Sequence, residues 1–328
     1  MMRAAARGAM ATSWFVKLVG RKRQRGKDAN LDPQLAAVLE FERIAKLPAL
    51  DSMTPAAARR YAEEGMSPLE LEPVAMAEVI DAPAGSVPVR VFVPHDAGPH
   101  WIVYFHGGGG VIGSVEASDS TTRYLAERTK CTVASVDYRL GPEHKHPAAI
   151  EDACAAYAAL VERLSPGARI AVAGDSFGGF LAAHVEHWAP AHGVRRPDVQ
   201  CLIYPVVDLR LISPSIDRLG TGYLLTKAIV HWMIDYYMHD EDDRAAGSPW
   251  FFTDLTGSAP AIVATAGYDP LVDEGDAWAD RLRAAGTVVR HRRSPSLVHG
   301  YLSLAGAVIA ARAATDELCR DLRELLAV

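Results

Sequence analysis

Apolar residues in this chain recur with two different periods, and the switch between them marks out its elements. Short, nearly continuous apolar runs occur at Ala75–Ile80, Val87–Val93, Trp101–Phe105, Thr132–Val136, Ile170–Ala173, Leu202–Tyr204 and Ile262–Ala266, and Val288–Arg290 begins an eighth. Runs of this length predict strands, and their apolar character on both faces predicts burial. Pro83 and Gly85 between the first two runs predict a hairpin. Helical spacing fills the gaps at about Ser118–Arg128, Pro147–Leu164, Phe177–Trp188, Glu274–Ala285 and Leu302–Leu326. Strands alternating with helices of this length predict an α/β fold: a mostly parallel, eight-stranded sheet flanked by helices on both faces.

Two segments break the alternation. Before the first strand, Leu35, Val38, Leu39, Phe41 and Ile44 follow helical spacing, and Thr54-Pro55 opens a second helix through about Glu64, with threonine as its cap. Residues 208–250 separate two strands and hold a helix near Thr226–Met238, followed by the acidic run Asp240-Glu241-Asp242-Asp243, expected as a solvated helix end. An insertion there sits over the carboxyl ends of the strands. The segments at about 31–67 and 208–250 are therefore expected to form a helical lid on one domain spanning 31–328. Residues 1–27 carry eight basic residues and no acidic one. Residues 1–30 are read as a basic extension without fixed structure. It is compatible with contact to an anionic membrane, but no such contact is required.

Composition narrows the classes. With 328 residues and 49% hydrophobic content the chain can bury a large core. A net charge of −6 gives no whole-chain case for nucleic-acid binding. Cys131, Cys154, Cys201 and Cys319 lie far apart, so buried thiols in a reducing compartment, the cytoplasm, are expected. No apolar run is long enough for a membrane-spanning helix. No metal-ligand spacing and no nucleotide fingerprint appears, so no cofactor is implied. The sequence leaves a homo-oligomer open.

The chemistry gathers where the predicted strands end. Gly174-Asp175-Ser176-Phe177-Gly178 lies between a strand and a helix, the pattern of a serine raised on a strained turn. Serine needs a base, and the base an orienting acid. Asp269 follows the strand Ile262–Ala266, and His299 follows the last strand. The order Ser176, Asp269, His299 is that of the α/β-hydrolases. His106-Gly107-Gly108-Gly109-Gly110 follows the strand Trp101–Phe105, and its glycines can turn backbone N–H groups toward an oxyanion, with the Phe177 N–H as the complementary donor. Asp273, Glu274 and Asp276 are rival acids, set aside because they fall in a first helical turn that favours carboxylates. Asp175 is expected to brace the serine turn, His106 to anchor the glycine loop, and Arg139 to pair with Glu143. His184, His187 and His291 are expected to be structural.

On these motifs the chain resembles the hormone-sensitive-lipase-like branch of the α/β-hydrolase esterases, of the bacterial family IV type. The residues that carry the resemblance are His106-Gly107-Gly108-Gly109, Tyr138-Arg139-Leu140-Gly141-Pro142-Glu143-His144, Gly174-Asp175-Ser176-Phe177-Gly178-Gly179, Asp269-Pro270-Leu271-Val272-Asp273-Glu274-Gly275 and His299-Gly300. It covers about residues 31–328. It implies a serine carboxylesterase acting on small-molecule esters, with Ser176 as nucleophile, His299 as base, Asp269 as orienter, and Gly107, Gly108 and Phe177 as oxyanion donors. Two positions depart from the family: Phe177 stands where alanine is usual, and Gly110 where an aromatic is common. A backbone donor survives either change, so the departures bear on the acyl pocket, for which short to medium chains are expected. The same machinery would serve an amidase or deacetylase, and a ligand-binding protein on this scaffold would be free to lose the base.

Overall fold

The computed structural model describes residues 23–66, 69–239 and 244–327. Its eight strands are β1 (Glu78–Ala84), β2 (Val87–Val93), β3 (Trp101–Phe105), β4 (Thr132–Val136), β5 (Ile170–Asp175), β6 (Val199–Ile203), β7 (Ala261–Tyr268) and β8 (Val289–Val298). They form one sheet in the order β1-β2-β4-β3-β5-β6-β7-β8. β1 and β2 pair antiparallel, β2 meets β4 antiparallel, and every later pairing is parallel. The carboxyl ends of β3 through β8 therefore open on one edge of the sheet.

Alternation along each strand explains why both faces are covered. In β5, Ile170 and Val172 enter one apolar cluster while Ala171 and Ala173 enter the other. The helices are α1 (Pro33–Ala45), α2 (Pro55–Met66), α3 (Asp119–Thr129), α4 (Ala148–Val161), α5 (Phe177–Ala191), α6 (Pro214–Arg218), α7 (Lys227–Tyr237), α8 (Val272–Ala284) and α9 (Ile309–Leu326). Residues of α4, α5 and α8 fill the first cluster, and those of α3 and α9 fill the second. No described helix is long and apolar enough to cross a membrane. The four cysteines are buried free thiols.

Several boundaries differ from the sequence expectation. The first strand runs Glu78–Ala84 rather than Ala75–Ile80, so Pro83 lies inside it. An edge strand tolerates a proline because no ladder bond is lost on its open side. The turn tightens to Gly85-Ser86, with Gly85 at φ 62°. The last helix begins at Ile309, after a separate 3-10 turn at Tyr301–Leu304. A Cβ at Gly306 would stand 1.8 Å from the Glu70 carbonyl oxygen, so glycine at 306 lets a second backbone pass close by.

The segments placed in the lid divide between the two clusters. α1 starts at an Asp32 cap, whose carboxylate accepts from the N–H groups of Gln34 and Leu35 at 2.8 and 3.1 Å. It buries Leu35, Ala36 and Leu39 in the α3/α9 cluster. Ala58 of α2 instead joins the cluster that contains Val230, Met233 and Tyr237 of α7. The 3-10 turn Leu50–Ser52 also packs on α7, so the N-terminal segment and the insertion meet. The acidic run at 240–243 lies outside the described residues, as does the extension up to residue 22. Residues 23–30 are ordered, contrary to the reading of that stretch as unstructured. They form a 3-10 turn at Gly26–Asp28. The Tyr223 hydroxyl donates to the buried Asp28 carboxylate, and the Tyr268 hydroxyl donates to the Lys27 carbonyl at 3.2 Å. Two tyrosines thus supply the partners that the basic composition concealed.

Candidate active site

β5 delivers Ser176. The strand ends at Asp175, the Ser176 N–H donates to the Ile203 carbonyl at 2.8 Å, and α5 begins at the next residue. Ser176 sits at φ 55° and ψ −116°. That conformation costs a non-glycine residue about 1–3 kcal/mol, which the surrounding packing must hold in place. The flanking glycines permit it. A Cβ at Gly178 would come within 1.9 Å of the Phe105 carbonyl oxygen, and one at Gly174 within 2.3 Å of the Gly178 backbone.

β7 and β8 deliver the partners. Ser176 Oγ lies 2.9 Å from His299 Nε2, and His299 Nδ1 lies 2.8 Å from Asp269 Oδ2. An ionised carboxylate only accepts, so Nδ1 carries the ring proton and Nε2 is left to accept from the serine hydroxyl. Asp269 is 1% exposed, and its other oxygen accepts from the Leu271 N–H at 2.8 Å, which fixes the carboxylate at the first turn of α8. The structure thus brings Ser176, His299 and Asp269 into one hydrogen-bonded chain.

The glycine loop follows β3. Gly107 does not offer its N–H to the site: it donates to Asp175 Oδ1 at 2.9 Å. Gly108 and Gly109, at φ 116° and 63°, find no acceptor for their N–H groups among the described residues, and neither does Phe177 at the first position of α5. The available donors are therefore Gly108, Gly109 and Phe177 rather than Gly107, Gly108 and Phe177. A side-chain acceptor one strand away made the difference, and no local pattern announces it.

Asp175 braces the strand ends, as its place beside the serine suggested. It also accepts from the Tyr104 hydroxyl at 2.7 Å. Burial pushes its carboxyl up, opposed by the Tyr104 hydroxyl, the nearby His299 and the Gly107 N–H. His106 anchors the loop: its Nδ1 meets the Gly107 carbonyl at 2.7 Å, and its ring stacks on Tyr138 at 4.4 Å. Burial holds His106 down at about 4, so it is neutral near pH 7.

The remaining charged candidates find partners away from Ser176. Arg139 pairs with Asp152 and Glu151, and Glu143 pairs with Arg59 of α2, so the expected Arg139–Glu143 pair does not form. The helical pattern of the Pro147–Leu164 region contained the true partners of Arg139. Asp273 pairs with Arg218, and Asp276 with His291 and Arg293. His184 packs between Phe180 and Phe252, and His187 stacks on Phe252. Glu274 is a finding. It is 3% exposed, its Oε1 accepts from the Val207 N–H at 2.9 Å, and burial pushes it up to about 8.

Above Ser176 lies an apolar cavity of about 20 Å3. Phe177, Val206, Leu209, Met233, Tyr237 and Leu271 are among its walls. Phe177 is 2% exposed, stacks on Phe180 at 4.9 Å and meets Tyr237 edge-on at 4.8 Å. A Cβ built on Gly110 would lie 2.8 Å from the Phe177 ring, so the ring occupies the space a side chain at 110 would enter.

A serine on a strained elbow, a tautomer-locked histidine, a buried aspartate and unpaired N–H groups opposite define a serine hydrolase of the α/β-hydrolase class. Residues 102–303 match the family model described as alpha/beta hydrolase fold. The chain belongs to that family, in its hormone-sensitive-lipase-like branch. It is 38% identical over 311 residues to the carboxylic ester hydrolase LipN of Mycobacterium tuberculosis, a match covering 89% of this chain and 82% of the relative. It is 32% identical over 300 residues to an ethyl acetate hydrolase of Pseudomonas putida, covering 85% and 94%. Among solved structures, an ester hydrolase from the metagenome of Lake Arreo, complexed with a bipyridine phosphonate derivative, superposes with a TM-score of 0.86 at 36% identity, covering 91% of this chain and 100% of the other.

Proposed function

We propose that this ester hydrolase works through an acyl-enzyme on Ser176 and favours short acyl chains. The observation that carries the mechanism is the chain of hydrogen bonds Ser176–His299–Asp269 at 2.9 and 2.8 Å. Ser176 Oγ attacks the ester carbonyl carbon as its proton passes to His299 Nε2. The carbonyl oxygen, now negative, is held by the N–H groups of Gly108, Gly109 and Phe177. Collapse of the tetrahedral species breaks the bond to the alcohol oxygen, which takes the proton from His299. Water then enters, His299 removes its proton, and the same sequence releases the acid and restores Ser176. The imidazolium formed in each half is stabilised by the Asp269 carboxylate, 2.8 Å from Nδ1.

The preference for short chains is supported by the cavity. It is narrow and apolar, and the buried Phe177 ring fills one wall. Each surplus methylene would have to displace packed side chains at a cost of about 1–3 kcal/mol, which favours acyl groups of roughly two to six carbons. The relatives' names favour an ester over an amide as the substrate.

The test is a nitrophenyl ester series from acetyl to palmitoyl, run beside matching anilides, with a phosphonate label located by mass spectrometry. Ser176→Ala should abolish ester turnover in a folded protein, and the label should map to Ser176. An adduct on another residue would end the mechanism, and a wild-type preference for palmitoyl would end the pocket argument.

A further inference from the structure

The oxyanion loop is held from outside as well as from the sheet. Its internal turn closes on Gly108, whose carbonyl accepts from the N–H groups of Val111 and Ile112 at 3.0 and 2.9 Å. The Gly110 carbonyl accepts from the Gly141 N–H at 2.8 Å. Beyond these bonds the next carbonyls, those of Val111 and Gly141, accept from a single side chain, Arg59 of α2. Its Nε–H donates to Val111 O at 2.8 Å, and one Nη donates to Gly141 O at 2.7 Å. The outer edge of the guanidinium meets both oxygens of Glu143 at 3.0 and 2.6 Å. One planar fork thus grips both strands of backbone that meet at Gly110.

We infer that Arg59 is a positioning residue, through which the lid helix α2 sets the orientation of the Gly108 and Gly109 N–H groups. The inference rests on the reading of those groups as oxyanion donors. Val111 is fully buried, so its carbonyl has no ready substitute for the Arg59 donor. The other half of the lid presses on the same loop: a Cβ at Gly109 would fall 2.4 Å from the Met233 sulfur of α7. The loop's glycines supply no side chains to hold it, so its register depends on these outside contacts. The geometry also calls for arginine. A lysine carries a point charge and lacks the planar fork that here meets the Val111 and Gly141 carbonyls and Glu143 together.

The experiment measures kcat per active site on nitrophenyl butyrate, with active sites counted by phosphonate burst titration, for wild type, Arg59→Ala, Arg59→Lys and Glu143→Gln. Misplaced oxyanion donors should lower kcat per site about 10- to 100-fold in both Arg59 variants, short of the loss of a donor itself. KM should change less than about threefold, since the donors act mainly on the transition state. Methylguanidine should restore part of the rate of Arg59→Ala. Glu143→Gln, which removes only an exposed charge pair, should stay within about twofold of wild type. An unchanged kcat per titrated site with fewer sites or a lower Tm would make Arg59 merely structural and overturn the inference. A KM increase at constant kcat would assign it to substrate entry and overturn it too. Should Arg59→Ala fail to fold, Arg59→Lys reads the same quantity. Failure of the acyl-enzyme reading would show separately, as a phosphonate adduct elsewhere than Ser176.

Discussion

Replacing Phe177 by alanine separates the two things its ring does. The ring is 2% exposed and packs against Phe180, Tyr237 and Tyr138 at centroid distances of 4.9, 4.8 and 6.1 Å. Removing it leaves a cavity, and truncations of this kind cost about 3–5 kcal/mol. Stability should therefore fall by an amount visible in a denaturant titration. The backbone N–H of residue 177 remains, so turnover of acetyl and butyryl esters should persist. The vacated space joins the cavity above Ser176, because the ring is one of its walls. An octanoyl chain that previously met strain of about 1–3 kcal/mol should then fit, which raises the ratio of octanoyl to butyryl kcat/KM roughly 5- to 150-fold. The assay is the ester series on both proteins at a temperature where both are folded. A Phe177→Ala protein that loses stability but keeps the wild-type ranking of chain lengths would refute the reasoning, because the ring would then be packing only. Returning an aromatic at position 110 should not restore the short-chain preference cleanly. Gly110 has φ 72°, and a Cβ there would lie 2.7 Å from Tyr237.

Asp269→Asn should lower kcat about 10⁴-fold with the fold intact, because an amide can donate to Nδ1 and leave the proton on Nε2; activity within tenfold of wild type would show that the acid is dispensable, kcat being read on a protein checked by circular dichroism. Gly178→Ala should yield no active folded enzyme, since the added carbon would lie 1.9 Å from the Phe105 carbonyl oxygen and 2.8 Å from that of His106, both backbone atoms that cannot swing aside. Soluble yield and burst titration check this, and a full complement of titratable sites would contradict it. For Glu274 the pH dependence has a definite sign. Its carboxyl is pushed from 4.5 up to about 8, so the folded chain keeps a proton that the unfolded chain releases. That contribution is fully present below about pH 4.5 and is lost as pH rises toward about 8, amounting to a few kcal/mol. Glu274→Gln, neutral at every pH, should gain Tm relative to wild type between about pH 5 and pH 8.5. A Tm difference that stays constant across that range would place the carboxyl in water.

How much of this protein its sequence determined follows from the range of the interactions involved. The eight strands, their alternation with helices and the helical insertion between β6 and β7 were legible because burial on a sheet face leaves a period of two or a continuous run, and burial on a helix leaves a period near 3.6. The serine elbow was legible because its strain forces glycine at neighbouring positions, and the rest of the hydrogen-bonded chain Ser176–His299–Asp269 because strand ends are where a parallel sheet gathers its loops. The edge strand was misplaced because proline is a stop signal only where its missing N–H would have been used. What tertiary structure alone decided are pairings between segments far apart in sequence. Gly107 lost its N–H to Asp175, and Glu143 found Arg59 rather than Arg139. Lys27 and Asp28 were drawn into the fold by Tyr268 and Tyr223. A hydrogen-bonding group carries no mark of which partner it will meet, whereas an apolar side chain need only find the interior. Periodicity therefore encodes the core, and only the assembled sheet and helices assign the polar contacts around the site.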